Sequence, residues 1–200
     1  SLILDPANAA KLEDCGIAIL DAPTDVLPNV MTYLGHPGTS MEKSHFEAAG
    51  DALSAIRPYL RYINSSQSIN DIANGDICAA IMWSGDAFQA AYRAEEAENG
   101  HVIDYYIPNE GTNLWFDVMA IPADAKNVDN ANRFIEFLLS KKMQASMVNN
   151  SFEYPILENV LPHPDIASSG LDFIEDEILV SEYGKFNTEA LKLMDRAGWK

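Results

Sequence analysis

The sequence predicts an α/β fold, a mostly parallel sheet with helices on both faces. Three observations carry that prediction. Ile17–Leu20 and Ile77–Trp83 are short continuous apolar runs, the pattern of strands buried on both faces. Segments with helical spacing lie between them, such as Phe46, Ala49, Leu53 and Ile56. The two kinds of segment alternate along the chain, which is the mark of an α/β architecture.

The elements follow in order. Asp5-Pro6 opens a first helix, with Asp as N-cap and Pro at the first helical position, and Gly16 stops it. Ile17–Leu20 is a strand, and the turn at residues 21–25 leads into a helix over 26–34. Gly35 ends that helix before a Pro/Gly loop over 36–40, and a helix over 44–56 follows, ending at Pro58. Tyr62-Ile63 forms a short strand. Ser65 or Ser66 caps a helix running to Asn74, with Gly75 at its C′ position. After the strand over 77–83, Ser84-Gly85-Asp86 opens a helix that Asn99-Gly100 breaks. Strands are expected at 102–107 and 114–121. Ala131, Phe134, Ile135 and Leu138 mark an amphipathic helix over 129–139, and a shorter helix covers 142–148. Residues 150–186 read as irregular, and 188–197 as a terminal helix closed by Gly198.

Composition narrows the function. Hydrophobic residues make up 48% of the 200 residues, enough for a sizeable core. Thirty acidic residues against thirteen basic ones give a formal charge of -17. A nucleic-acid binder needs the opposite footprint, and an anionic membrane surface would repel this chain, so neither is a partner. A cationic ligand would be attracted by the same field. No apolar window approaches ~18 residues, so no membrane insertion is expected, and no signal peptide is visible at the N-terminus.

No nucleophile elbow, phosphate loop, zinc-protease helix or dinucleotide fingerprint is present, so an enzyme is not expected. The histidines (His36, His45, His101, His163) lie far apart, and no metal or other cofactor is implied. Tyr105-Tyr106 is an adjacent phenol pair, but neighbours on a strand point to opposite faces, so one ring belongs to the core and one to the surface. More informative are aromatics placed near carboxylates at element ends. Trp83 ends a buried strand and Asp86 begins the next helix. Trp115 and Asp117 are two apart on a predicted strand and so share a face. Asp25 follows another strand. An ammonium group wants such partners, an aromatic face and a carboxylate acceptor, and ligands of open α/β sheets sit outside the carboxyl ends of the strands. The same residues have plainer readings: Asp86 as a helix-capping acid, and the two tryptophans as core. Cys15 and Cys78 fit no redox or zinc spacing and are either two buried thiols or one disulfide.

Several stretches carry a more specific likeness. They are Leu20-Asp21-Ala22-Pro23, Ile56-Arg57-Pro58, Asn70–Cys78, Trp83-Ser84-Gly85-Asp86, Ile107-Pro108, Glu110-Gly111, Trp115-Phe116-Asp117 and Ala120–Asn127. Across roughly residues 1–130, in order and nearly without gaps, the chain resembles the putrescine/spermidine-binding proteins of bacterial ABC transporters. The resemblance implies a type II periplasmic-binding-protein fold, two α/β lobes joined by a hinge with the polyamine clamped between them. It implies a non-catalytic role, a periplasmic location, and a membrane permease as partner. Residues 1–110 would be a second-lobe-like domain. Residues 111–200 would hold a hinge-crossing strand, part of a first lobe and C-terminal helices, and much of the first lobe would lie outside the chain.

The family's ligand residues carry over one by one. Trp83 matches an aromatic packed along the methylene chain, and Asp86 the acid after it. Trp115 matches a second aromatic, and Asp117 the acid gripping a terminal ammonium. Asp25 stands where the family has an acidic residue, commonly Glu. Ser65 matches a pocket hydroxyl, and the family's pocket tyrosine falls near Tyr154. The family's paired cysteines fall on Cys15 and Cys78, which implies a disulfide. From Phe134 the pattern changes. Phe134–Ser140, Glu153-Tyr154-Pro155 and Glu189–Trp199 resemble the end of ferric-iron-binding proteins of the same superfamily. That switch fits a mosaic, a chimera or a shortened form, and leaves two alternative functions: a scaffold with little or no ligand binding, or an iron binder.

Overall fold

A computed structural model describes residues 2–157, 159–161 and 163–164. Three parallel strands, β1 (Ile17–Ile19), β2 (Leu60–Ile63) and β3 (Ala79–Ile81), form a sheet in the order β2-β1-β3. Parallel neighbours need crossovers, and helices supply them. Helices α2 (Pro23–Tyr33) and α3 (Lys43–Ile56) lead from β1 to β2, and α4 (Ser65–Ala73) leads from β2 to β3. A short α1 (Pro6–Ala9) precedes β1, and α5 (Ser84–Glu96), α6 (Val128–Leu138) and α7 (Lys141–Ser151) follow β3. The α/β class and the parallel sheet expected from the sequence are both present.

Burial explains why β1 is central. Ile17, Ala18 and Ile19 are all fully buried, between β2 on one side and β3 on the other. They join Val26, Val30 and Met31 of α2 and Phe46, Ala49, Leu53 and Ile56 of α3 in the main core. Ala73 of α4 and Ala90 and Ala94 of α5 form a second, smaller cluster. Small residues there let the two helices approach closely.

Local signals hold at several boundaries. Asp5 caps α1, its Oδ1 accepting from the Ala7 N–H at 2.8 Å. Gly75 follows α4 with φ +77°, a conformation that favours glycine. The cap of α4 is Asn64 rather than Ser65 or Ser66: its side chain accepts from the Gln67 N–H at 2.8 Å. Asn is as good a cap as Ser, and Ser65, one position later, is used elsewhere.

Two expected strands are absent from the described ladder. Residues 102–107 and 114–121 form no strand, and several apolar side chains there face outward: Val102 is 88% exposed and Val118 80%. Their alternation is suited to strands, but a strand exists only where a neighbour supplies its hydrogen bonds. Among the described residues, no strand pairs with the outer edge of β3. An apolar slot of about 220 Å³ separates Cys78–Met82 from Ile103–Tyr106. Without a ladder, the expectation that Trp115 and Asp117 share one strand face loses its basis. Helix α6 keeps its amphipathic sequence but buries none of its residues, and Phe134 and Phe137 are more than half exposed. The predicted terminal helix at 188–197 and most of the irregular region lie outside the described residues.

Cys15 and Cys78 are joined in a disulfide with Cα atoms 5.5 Å apart. The bond ties the entry of β1 to the entry of β3, beside a Cys78 N–H to Gly16 carbonyl hydrogen bond of 3.0 Å. Among the described residues, no helix is long and apolar enough to cross a membrane.

Candidate functional site

The carboxyl ends of the strands open onto the loops that carry the candidate residues. After β1, the chain passes Asp21 and enters α2, whose first turn holds Asp25. After β3, Trp83 is the N-cap of α5, and Asp86 lies in that helix's first turn. The two loops meet directly: the Trp83 indole N–H donates to Asp25 Oδ2 at 2.8 Å. Trp83 also packs against the main core. The ring therefore lies against the core while its N–H is aimed at the acid.

Hydrogen bonds bring the following segment to the same place. Asn113 Nδ2 donates to the Asp25 carbonyl at 3.3 Å, the Asn113 N–H donates to Asn29 Oδ1 at 3.2 Å, and Thr112 Oγ1 donates to the same oxygen at 3.1 Å. Trp115 and Asp117 come two and four residues later. The segment that leads to them is thus tied to α2 at Thr112 and Asn113.

Ser65 is buried and committed. Its hydroxyl donates to Asp21 Oδ1 in a short bond and accepts from the Asp21 N–H at 3.2 Å, while its own N–H donates to Asp21 Oδ1 at 3.2 Å. This bracket pins the loop after β1 to the start of α4. The structure places Ser65 as the fastener of the loop that leads to Asp25. Tyr154 is half-buried just beyond α7.

One acidic residue, Glu153, comes near the site by packing that the sequence does not announce. α7 ends at Phe152, which is buried in the left-handed conformation with φ 58°. Its ring stacks at 6.5 Å on Phe88 and meets Tyr92 at a tilt, with centroids 6.2 Å apart, both of α5. The turn sets Glu153 against the start of α5. A Cβ added at Gly85 would collide with the Ser151 carbonyl oxygen and lie 3.5 Å from Glu153 Cγ. Partial burial, then the negative charges of Asp117 and Asp86, push the Glu153 carboxyl above its ordinary pKa. Asp86 is raised as well, by burial, with Arg93 opposing. Asp86, Asp117 and Glu153 therefore share one negative field. Among the described residues, no His, Cys, Asp or Glu group is gathered tightly enough to hold a metal ion. The arrangement suits a larger, softer cation: carboxylates to accept N–H donors and indole faces to cover an alkyl chain.

Comparison with known proteins points the same way. Residues 7–171 match the family model of the bacterial extracellular solute-binding protein. The chain is 47% identical over 152 residues to the putrescine-binding periplasmic protein PotF of Escherichia coli, covering 76% of this chain and 41% of that protein. It is 43% identical over 148 residues to the putrescine-binding periplasmic protein SpuD of Pseudomonas aeruginosa, covering 74% and 40%. A solved structure from Listeria monocytogenes, described as a spermidine/putrescine ABC transporter, superposes with a TM-score of 0.68 at 27% identity, covering 95% of this chain and 59% of that one. The chain thus spans about two fifths of the length of these curated relatives. The likeness to iron binders beyond Phe134 gains no support. The family match runs on through that point to residue 171, these relatives are named for polyamines, and Glu189–Trp199 lies outside the described residues. With 7–171 matched to one family model, the chain belongs to the bacterial extracellular solute-binding proteins.

Proposed function

We propose that this chain binds the ammonium groups of polyamines such as putrescine or spermidine, as part of a periplasmic receptor that delivers them to the membrane permease of an ABC transporter. The role is recognition, with no bond made or broken. The observation that carries the proposal is the Trp83–Asp25 contact at the mouth of α5, beside Asp86 and in a chain 47% identical to a putrescine-binding protein. Putrescine offers two ammonium ends on an apolar chain, and the site offers carboxylates and indole faces.

Asp117 is exposed and Trp83, Trp115 and Asp86 are half-exposed, so ligand contacts in this chain stay partly hydrated. Cation–π and charge contacts are worth less under those conditions. Calorimetric titration of the chain with putrescine should give saturable binding with Kd on the order of 0.1 mM or weaker. Raising NaCl from about 0.05 M to about 0.5 M should weaken it severalfold, because salt screens exposed charge pairs. Absence of saturable heat would instead mark a scaffold that keeps the fold and not the binding. Unchanged affinity in high salt would contradict recognition by carboxylates.

A further inference from the structure

Arg61 stands at a break in the sheet. β1 and β2 pair as Ile17 with Leu60 and then Ala18 with Tyr62, so β2 advances two residues while β1 advances one. Such a bulge is rare between parallel strands, and it re-aims the extra side chain. Here the extra residue is Arg61, and its guanidinium bridges the two segments that the disulfide joins. Nη1 donates to the Asp76 carbonyl, and Nη2 donates to the Asp14 carbonyl at 3.4 Å. Asp14 directly precedes Cys15, and Asp76 comes shortly before Cys78. Gly16 clears the way, because a Cβ there would lie 2.8 Å from both Cζ and Nε of Arg61. We infer that Arg61 is a positioning residue for the Cys15–Cys78 disulfide, its fork holding the approaches to β1 and β3 in register so that the two thiols meet when the bond forms.

The bond forms by exchange with a disulfide oxidant. One cysteine thiolate attacks a sulfur of the oxidant, releases one thiolate and leaves a mixed disulfide. The second cysteine thiolate then attacks the first cysteine's sulfur and releases the other thiolate. The protein's two thiols lose two electrons and two protons, and the oxidant ends as two thiols. Both cysteines are exposed, so an oxidant reaches either. The second step is the demanding one, since it closes a loop between residues 63 positions apart. In the folded chain the ends are already linked without the disulfide, by Arg61 and by the Cys78 N–H to Gly16 carbonyl bond of 3.0 Å. A planar guanidinium can hold two carbonyls in fixed relation, whereas an ammonium is a point charge on a flexible stem.

The test is the equilibrium of the reduced whole chain with oxidised and reduced glutathione at neutral pH. The fraction of protein disulfide gives the effective concentration of the thiol pair, and circular dichroism reports that the reduced chains are folded. Arg61→Gln should lower that concentration about fivefold and leave more mixed disulfide with glutathione. Arg61→Lys, which keeps the charge and loses the fork, should stay nearer to Arg61→Gln than to wild type. In urea strong enough to unfold the chains, all three should agree, since the bridge is gone. A general loss of stability would not move the constant of a chain that stays folded. A folded Arg61→Gln chain within about twofold of wild type overturns the inference. Full rescue by Arg61→Lys also overturns it, because charge rather than the bridge would then be the cause. So does a gap of the same size that persists in urea. If reduced Arg61→Gln does not fold, Arg61→Lys decides alone, and a constant equal to wild type overturns the inference.

Discussion

Loss of the Cys15–Cys78 disulfide is expected to lower stability by about 4 kcal/mol in the chain-entropy account, because it opens a loop of 63 positions. That is a large share of the ~5–15 kcal/mol that holds an ordinary domain folded. The bond also joins the segments that enter two adjacent strands, so its loss frees the approach to β3 and, through it, to Trp83 and Asp86. Urea unfolding of the Cys15→Ser/Cys78→Ser variant should show the midpoint falling accordingly. Thiol titration of the unfolded, unreduced chain should find almost no free thiol. A double variant as stable as wild type would show that the closed loop contributes little. A disulfide of this kind persists in oxidising compartments, which supports the proposed periplasmic setting.

Ile19→Ala is expected to cost about 3 kcal/mol, within the range for truncating a buried isoleucine. Ile19 is fully buried on the central strand, paired with Ile63 on β2 and Ile81 on β3, so the cavity has no edge from which to collapse. Its carbonyl also accepts from the Asn64 N–H, the residue that caps α4. The loop that follows holds Asp21 and Asp25, so the variant should also weaken putrescine binding. Urea unfolding reads the first effect and calorimetry the second. A loss below about 1 kcal/mol would mean that the sheet repacks around the gap.

The apolar run at Ile17–Leu20 identifies β1 because a strand buried on both faces needs no polar alternation. The caps at Asp5 and Gly75 are legible because each solves a local backbone problem by its own chemistry. Residues 102–107 and 114–121 carry a strand pattern and form no strand, because alternation reports fitness for a sheet while pairing depends on a neighbour that no local window contains. The slot along β3 keeps the first of these away from the ladder. The bond from Ser65 to Asp21 spans 44 positions and is set by how β1 and α4 meet, which no local window contains. Asp25 and Trp83 were each picked out, and their contact across 58 positions was not. Glu153 stands out in the sequence only within Glu153-Tyr154-Pro155, a likeness that assigns it no part in this site. It follows a helix end, where a charged residue is ordinary, and only the packing of Phe152 on α5 brings it to the site.

The central claim is that Asp25, Trp83, Asp86, Trp115 and Asp117 form one amine-binding surface. Its most direct test is an NMR titration of the tryptophan indole N–H signals with putrescine. The Trp83 and Trp115 signals should move together and saturate with a single dissociation constant, and Asp25→Asn should perturb the Trp83 signal before any ligand is added, since its N–H rests on that carboxylate. Neither signal moving at millimolar putrescine, in a chain whose other resonances show it folded, would contradict the account.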